Sequence, residues 1–158
     1  MRYGSDSYTL FFSYFISLTA FVDKAMILDL TSLDKAVQSL KKSIIRFEME
    51  HDDDIVRDSV IQRFEYTYSL ALRFIQRYLA LNMPIPEEEL TFNNIIRKAD
   101  RIGLLKQDLS VWCEYREMRN ITSHTYNEDK AVLVSKVAIR FLDDAEYLLH
   151  ELKNRNNS

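Results

Sequence analysis

From Asp29 onward the apolar residues fall in steps of three and four. Leu30, Leu33, Val37, Leu40, Ile44 and Phe47 make one stripe and predict an amphipathic helix over 31–49. Thr31 and Asp34 stand at capping-box spacing at its start. The polar run Glu50-His51-Asp52-Asp53-Asp54 then breaks the pattern and places carboxylates at the N-terminus of a second helix over 55–81. Val60, Phe64, Tyr68, Ala71, Ile75 and Leu79 line one face of that helix, and Ile61, Leu72 and Tyr78 widen it. Asn82-Met83-Pro84-Ile85-Pro86 stops it, because proline has no amide donor and biases its predecessor away from helical angles. A short helix over 91–102 follows, with Phe92, Ile95, Ile96, Ala99 and Ile102 on its apolar side and Gly103 as a left-handed cap. The fourth helix begins near Asp108 and turns Leu109, Trp112 and Cys113 inward. The last runs from Asp129 to about 152, burying Val134, Val137, Phe141, Ala145, Leu148 and Leu149, with His150 toward solvent and 153–158 as a polar, fraying tail. No run alternates long enough to be a strand. The expected fold is all-α, an antiparallel bundle of four to five helices.

The stretch before this pattern is different. Residues 8–22 (YTLFFSYFISLTAFV) are the most apolar part of the chain and lack a helical stripe. At fifteen residues the stretch falls short of the roughly 20 that a membrane-spanning helix needs. It has the look of a signal-peptide core more than an anchor, but only Arg2 precedes it as a positive charge, offset by Asp6. We therefore expect 1–25 to be an apolar extension with Met26 as the natural start, and 26–158 to be the folded domain, without stable membrane association. Two Gly and two Pro in 158 residues leave no linker and no low-complexity tract, which suits long helices. A net charge of -3 argues against binding nucleic acid by bulk attraction and leaves room for a local cationic cleft. The one cysteine, Cys113, can form no internal disulfide and no Cys-based zinc cluster, so a reducing compartment is expected.

Candidate chemistry is concentrated in Arg119-Asn120-Ile121-Thr122-Ser123-His124-Thr125-Tyr126. Arg119 offers a planar fork of donors suited to phosphate, and His124 titrates near neutrality. On an unbroken helix five residues at about 100° each would point the two some 140° apart. The helix must end between them for both to serve one substrate, and Thr122 and Ser123, whose hydroxyls compete for backbone hydrogen bonds, favour that break. Arg119 then sits in a last turn and His124 just beyond, with 125–129 as a turn into the next helix. Arg116 and Lys130 can add charge to the cleft. A blander reading stands beside this one: Arg119 complementing the helix dipole, His124 and Asn120 capping carbonyls. His51 with its neighbouring acids is a weak metal candidate, since consecutive side chains on a turn diverge and no second His follows at helical spacing. No metal or cofactor is expected.

Arg119-Asn120, three residues, then His124-Thr125-Tyr126 resembles the Arg-x4-6-His motif of the HEPN superfamily in its His-x-Tyr form. Upstream, Ile61-Gln62-Arg63-Phe64-Glu65-Tyr66-Thr67-Tyr68-Ser69-Leu70 resembles the signature helix of that superfamily's nucleotidyltransferase substrate-binding branch. The resemblance covers residue 26 to the C-terminus. It implies a cytoplasmic, metal-independent endoribonuclease acting as a homodimer on RNA, with Arg119 and His124 catalytic and Asn120 and Arg116 supporting. It further implies a toxin-antitoxin pairing with a minimal nucleotidyltransferase (MNT) that adenylylates Tyr126. The alternative within the same resemblance is a noncatalytic substrate-binding or scaffold subunit of that transferase. From the residues alone, Gln62, Arg63 and Glu65 read either as surface hydrogen-bonding and ion-pairing groups or as the lining of a subunit interface or nucleotide pocket.

Overall fold

The computed structural model describes residues 27–50, 53–83, 86, 89–124 and 127–157, with the side chain of His124 left undescribed. Five α-helices follow in order: α1 (Thr31–Met49), α2 (Asp54–Asn82), α3 (Phe92–Arg101), α4 (Leu109–Ile121) and α5 (Glu128–Asn156). A 3₁₀ turn, Thr122–His124, joins α4 to α5, and no strand occurs among the described residues. The all-α expectation holds.

The course of the bundle is fixed by cross-helix pairs. Lys153 meets Asp34 at 2.7 Å and Lys41 meets Glu146 at 2.8 Å, so α1 and α5 run in opposite directions. Arg57 near the start of α2 meets Glu128 at the start of α5, and Tyr78 near the end of α2 meets Arg155 near the end of α5, so those two long helices run the same way. α4 runs against both, since Trp112 lies beside Tyr68 and the later Arg119 beside the earlier Glu65 of α2. The path is up-down-up-down, with α3 as a short brace.

The predicted stripes of the three long helices are the buried ones: Leu33, Val37 and Leu40 of α1, Val60, Phe64 and Ile75 of α2, and Val134, Phe141 and Leu148 of α5 are sealed from solvent. Phe141 is the hub of an aromatic cluster, its ring centroid 5.1 Å from Tyr115, 5.3 Å from Phe64, 6.0 Å from Tyr68 and 6.2 Å from Trp112. Edge-on and tilted contacts of this kind put ring hydrogens against electron-rich faces. Gly103 has φ of 71°. Its amide donates to the Asp100 carbonyl and the Leu104 amide to that of Ala99, the paired hydrogen bonds of a Schellman cap.

Four expectations need correction. The Thr31/Asp34 capping box is absent: Asp29 takes the Thr31 amide at 3.0 Å, while Asp34 is committed to Lys153. Cys113 points to solvent, because Trp112, Tyr115 and Met118 define the inward face of α4. α5 opens at Glu128, one residue early, with Asn127 accepting from the Lys130 amide. It also does not fray at 153: the Asn156 side chain exchanges hydrogen bonds with both backbone groups of Leu28, and Arg155 donates to the Ile102 carbonyl. The readings placed on residues 1–25, His51 and Tyr126 lie outside the described residues.

Candidate functional site

The break required between Arg119 and His124 is present. α4 ends at Ile121, and the backbone tightens into the 3₁₀ turn that includes His124. Thr122 makes that turn: its amide and its hydroxyl both donate to the Arg119 carbonyl, the latter at 2.8 Å. A threonine side chain thus occupies an acceptor that a continuing helix would offer to an amide four residues on. Thr122 is buried, and the turn is seated against α2, α4 and α5.

At the other end of the segment, Arg57 acts as a clamp. Its guanidinium donates to both oxygens of Glu128, at 2.5 and 2.9 Å, and lies 2.9 Å from Asp54. The Arg57 side chain is 11% exposed, against 66% for Glu128 and 75% for Asp54. Both acids stand in the first turn of their helices, where the backbone dipole also favours negative charge. Thr122 is therefore held by the carbonyl of Arg119 itself, and Glu128, at the start of α5, by a cation of α2.

Arg119 is half-exposed in the last turn of α4 and lies 3.7 Å from Glu65 of α2. That contact is long for a hydrogen bond, so among the described residues the fork keeps donors for an incoming anion. Asn120 is exposed. Arg116 lies over the Phe92 ring, its guanidinium carbon 4.6 Å from the ring centroid, which sets a cation at the seam between α3 and α4. Beneath these arginines Tyr68 is buried, with its hydroxyl lacking a hydrogen-bond partner among the described residues. Burial pushes its phenol up to about 12, against the opposing pull of Arg116 and Arg119. Burial likewise raises Asp144 and its donor Tyr115, a pair that belongs to the core and not to the site.

Beside Arg119 an open groove of about 500 Å³ runs between the first half of α2 and the 3₁₀ turn, lined by Ile55, Asp58, Ser59, Gln62, Glu65 and Thr122. Of the residues singled out in α2, Gln62 and Glu65 thus reach the site. Arg63 does not: it faces α1, donating to Ser39 at 3.0 Å and to the Ser59 carbonyl at 3.2 Å. Among the described residues no group of three or more His, Cys, Asp or Glu is placed to hold a metal ion, and no helix is long and apolar enough to cross a membrane. Sequence reading overlooked Arg57, Asp58 and Glu128. Arg57 and Glu128 are 71 positions apart, and nothing local in the chain announces such a pair.

Comparison with known proteins bears on the family and the fold. The family described as nucleotidyltransferase substrate binding protein like matches residues 28–154. A Haemophilus influenzae protein named probable ribonuclease HepT is 37% identical over 141 residues, covering 82% of this chain and 94% of its own. A solved Haemophilus influenzae structure, described as revealing the fold of a substrate binding domain of a nucleotidyltransferase, superposes with a TM-score of 0.71 at 34% identity. It covers 79% of this chain and 99% of that one. A crystal structure from Thermus thermophilus gives a TM-score of 0.60 at 27% identity, over 80% of this chain and 99% of that one. The chain belongs to the nucleotidyltransferase substrate binding protein like family, a branch of the HEPN superfamily.

Proposed function

We propose that this protein is a metal-independent endoribonuclease, the toxin of a HEPN/MNT pair, cleaving RNA as a cytoplasmic homodimer. The observation that carries the reading is the end of α4 between the two residues: a half-exposed Arg119 lies in its last turn, and His124 in the tighter 3₁₀ turn that follows directly. RNA carries its own nucleophile. The 2′-hydroxyl attacks the adjacent phosphorus, the 5′-oxygen leaves, and the protein has to move two protons and stabilise the charge gathering on the nonbridging oxygens. His124 serves as base or acid, and the Arg119 fork pairs with those oxygens. Two copies across a symmetry axis supply one imidazole for each transfer. Arg116 and Asn120 support, the first by adding charge near the seam and the second by orienting polar groups at the end of α4.

The family supports a nucleotidyltransferase as the partner. A minimal nucleotidyltransferase transfers adenylate from ATP to the Tyr126 phenol with loss of pyrophosphate, and the bulky anion so placed blocks the cleft. A second reading, a noncatalytic substrate-binding subunit of that transferase, is favoured by the two carboxylates, Asp58 and Glu65, that line the groove.

Purified protein and RNA distinguish them. Cleavage should persist in EDTA and vanish in His124→Ala and Arg119→Ala, whereas RNA left intact by a folded wild-type dimer establishes the scaffold role. With the transferase and ATP, label should appear on wild type and be lost in Tyr126→Phe. A Tyr126→Phe protein that still takes label removes that part.

A further inference from the structure

We propose that the groove along the first half of α2 is a nucleobase subsite, in which Asp58 and Gln62 read the hydrogen-bonding edge of guanine next to the phosphate held at Arg119. The inference rests on the nuclease reading above and adds a base preference to it.

Ile55, Asp58, Gln62 and Glu65 recur at steps of three and four and so form one ledge of α2, facing the 3₁₀ turn across about 500 Å³. That space accommodates a base and part of its sugar, being within the range of small-ligand sites. The ledge is chemically graded. Glu65, at the end nearest α4, leans on Arg119. Asp58 and Gln62 are exposed, and among the described residues no ion pair or hydrogen bond engages their side chains. Ile55 is 81% exposed and offers an apolar wall on which a ring face can rest.

An acid-lined groove repels a phosphate, so the ligand that enters it must present donors. Guanine carries two neighbouring donors, the ring N–H and the exocyclic amine, spaced to meet both oxygens of one carboxylate, and its carbonyl can accept from the Gln62 amide. Uracil sets a single N–H between two carbonyl oxygens, which would face Asp58 with like charge. A matched bidentate pair of this kind discriminates between bases by about ten-fold. The phosphate then lies at the Arg119 end, and the base extends away from it along α2.

The test is a nitrogen-15 NMR titration of the full chain with guanosine and uridine 5′-monophosphates, reading the Gln62 side-chain amide. Guanosine monophosphate should move that signal at concentrations about ten-fold lower than uridine monophosphate, and Asp58→Asn, an exposed change that keeps the fold, should erase the difference. Equal responses, a silent Gln62, or a Gln62 signal that moves with protein concentration alone, which would mean a second copy fills the groove, each overturn the proposal. Guanine-selective shifts in a protein that cleaves no RNA would uphold the subsite while refuting the nuclease.

Discussion

The clamp on the segment that bears His124 can be measured through its coupling. Arg57→Met keeps most of the buried stem and removes the charge, and Glu128→Gln removes the opposite charge while keeping the shape. Hydrogen bonds to charged groups contribute about 1.5–3 kcal/mol when well desolvated, and fully exposed ion pairs about 0.2–1 kcal/mol. Arg57 is 11% exposed and Glu128 66%, so this pair stands between the limits, and we expect a coupling of about 1 kcal/mol. Arg57→Met alone should cost more, about 2 kcal/mol, because it also leaves the Asp54 carboxylate unpaired and the bidentate site empty. For a chain of this length that lowers Tm by roughly 4–8 °C. A double-mutant cycle in thermal or urea unfolding isolates the pair. Molar salt should weaken the coupling only in part, since one partner is shielded from the ions. A coupling under about 0.3 kcal/mol would mean that the apolar core alone sets the start of α5, and the clamp would then have no part in placing His124.

Phe141→Ala removes the ring around which Phe64, Tyr68, Trp112 and Tyr115 pack, and should destabilise by about 3–5 kcal/mol in urea unfolding; a loss below about 1 kcal/mol would show that the cluster collapses freely. Gly103→Ala meets no clash, its nearest atom being Arg155 Nη2 in ordinary contact at 3.8 Å. The cost is therefore backbone strain at φ of 71°, about 1–2 kcal/mol, and an unchanged melting curve would contradict the left-handed cap. Tyr68 favours its neutral form in the fold, so its contribution is whole below the ordinary phenol pKa of 10.0 and is lost as pH rises toward about 12. Ultraviolet titration of Tyr68→Phe should lose one late-appearing tyrosinate relative to wild type, while that of Tyr115, also raised by burial, remains.

The stripes of the long helices were readable in the chain because helical burial depends on a local period, and Phe64, Phe141 and Leu148 fall where that period puts them. Its limits were also local. Cys113 and Trp112 are adjacent, and a run of apolar residues cannot say which of two neighbours faces in until a second helix chooses, here through Tyr68 and Phe141 against Trp112. The tail beyond 152 looked polar enough to fray, and it is held by Leu28, at the far end of the described chain.

The sequence by itself determined the helical class, the order of the elements and the need for a break between Arg119 and His124. All of these follow from hydrophobic spacing, turn chemistry and helical winding over a few residues. Tertiary structure decided what meets the break: Glu65 on Arg119, Arg57 on Glu128, and a groove beside Thr122. Such contacts join residues tens of positions apart, and their pairing is set by how α2, α4 and α5 pack, which no local period encodes.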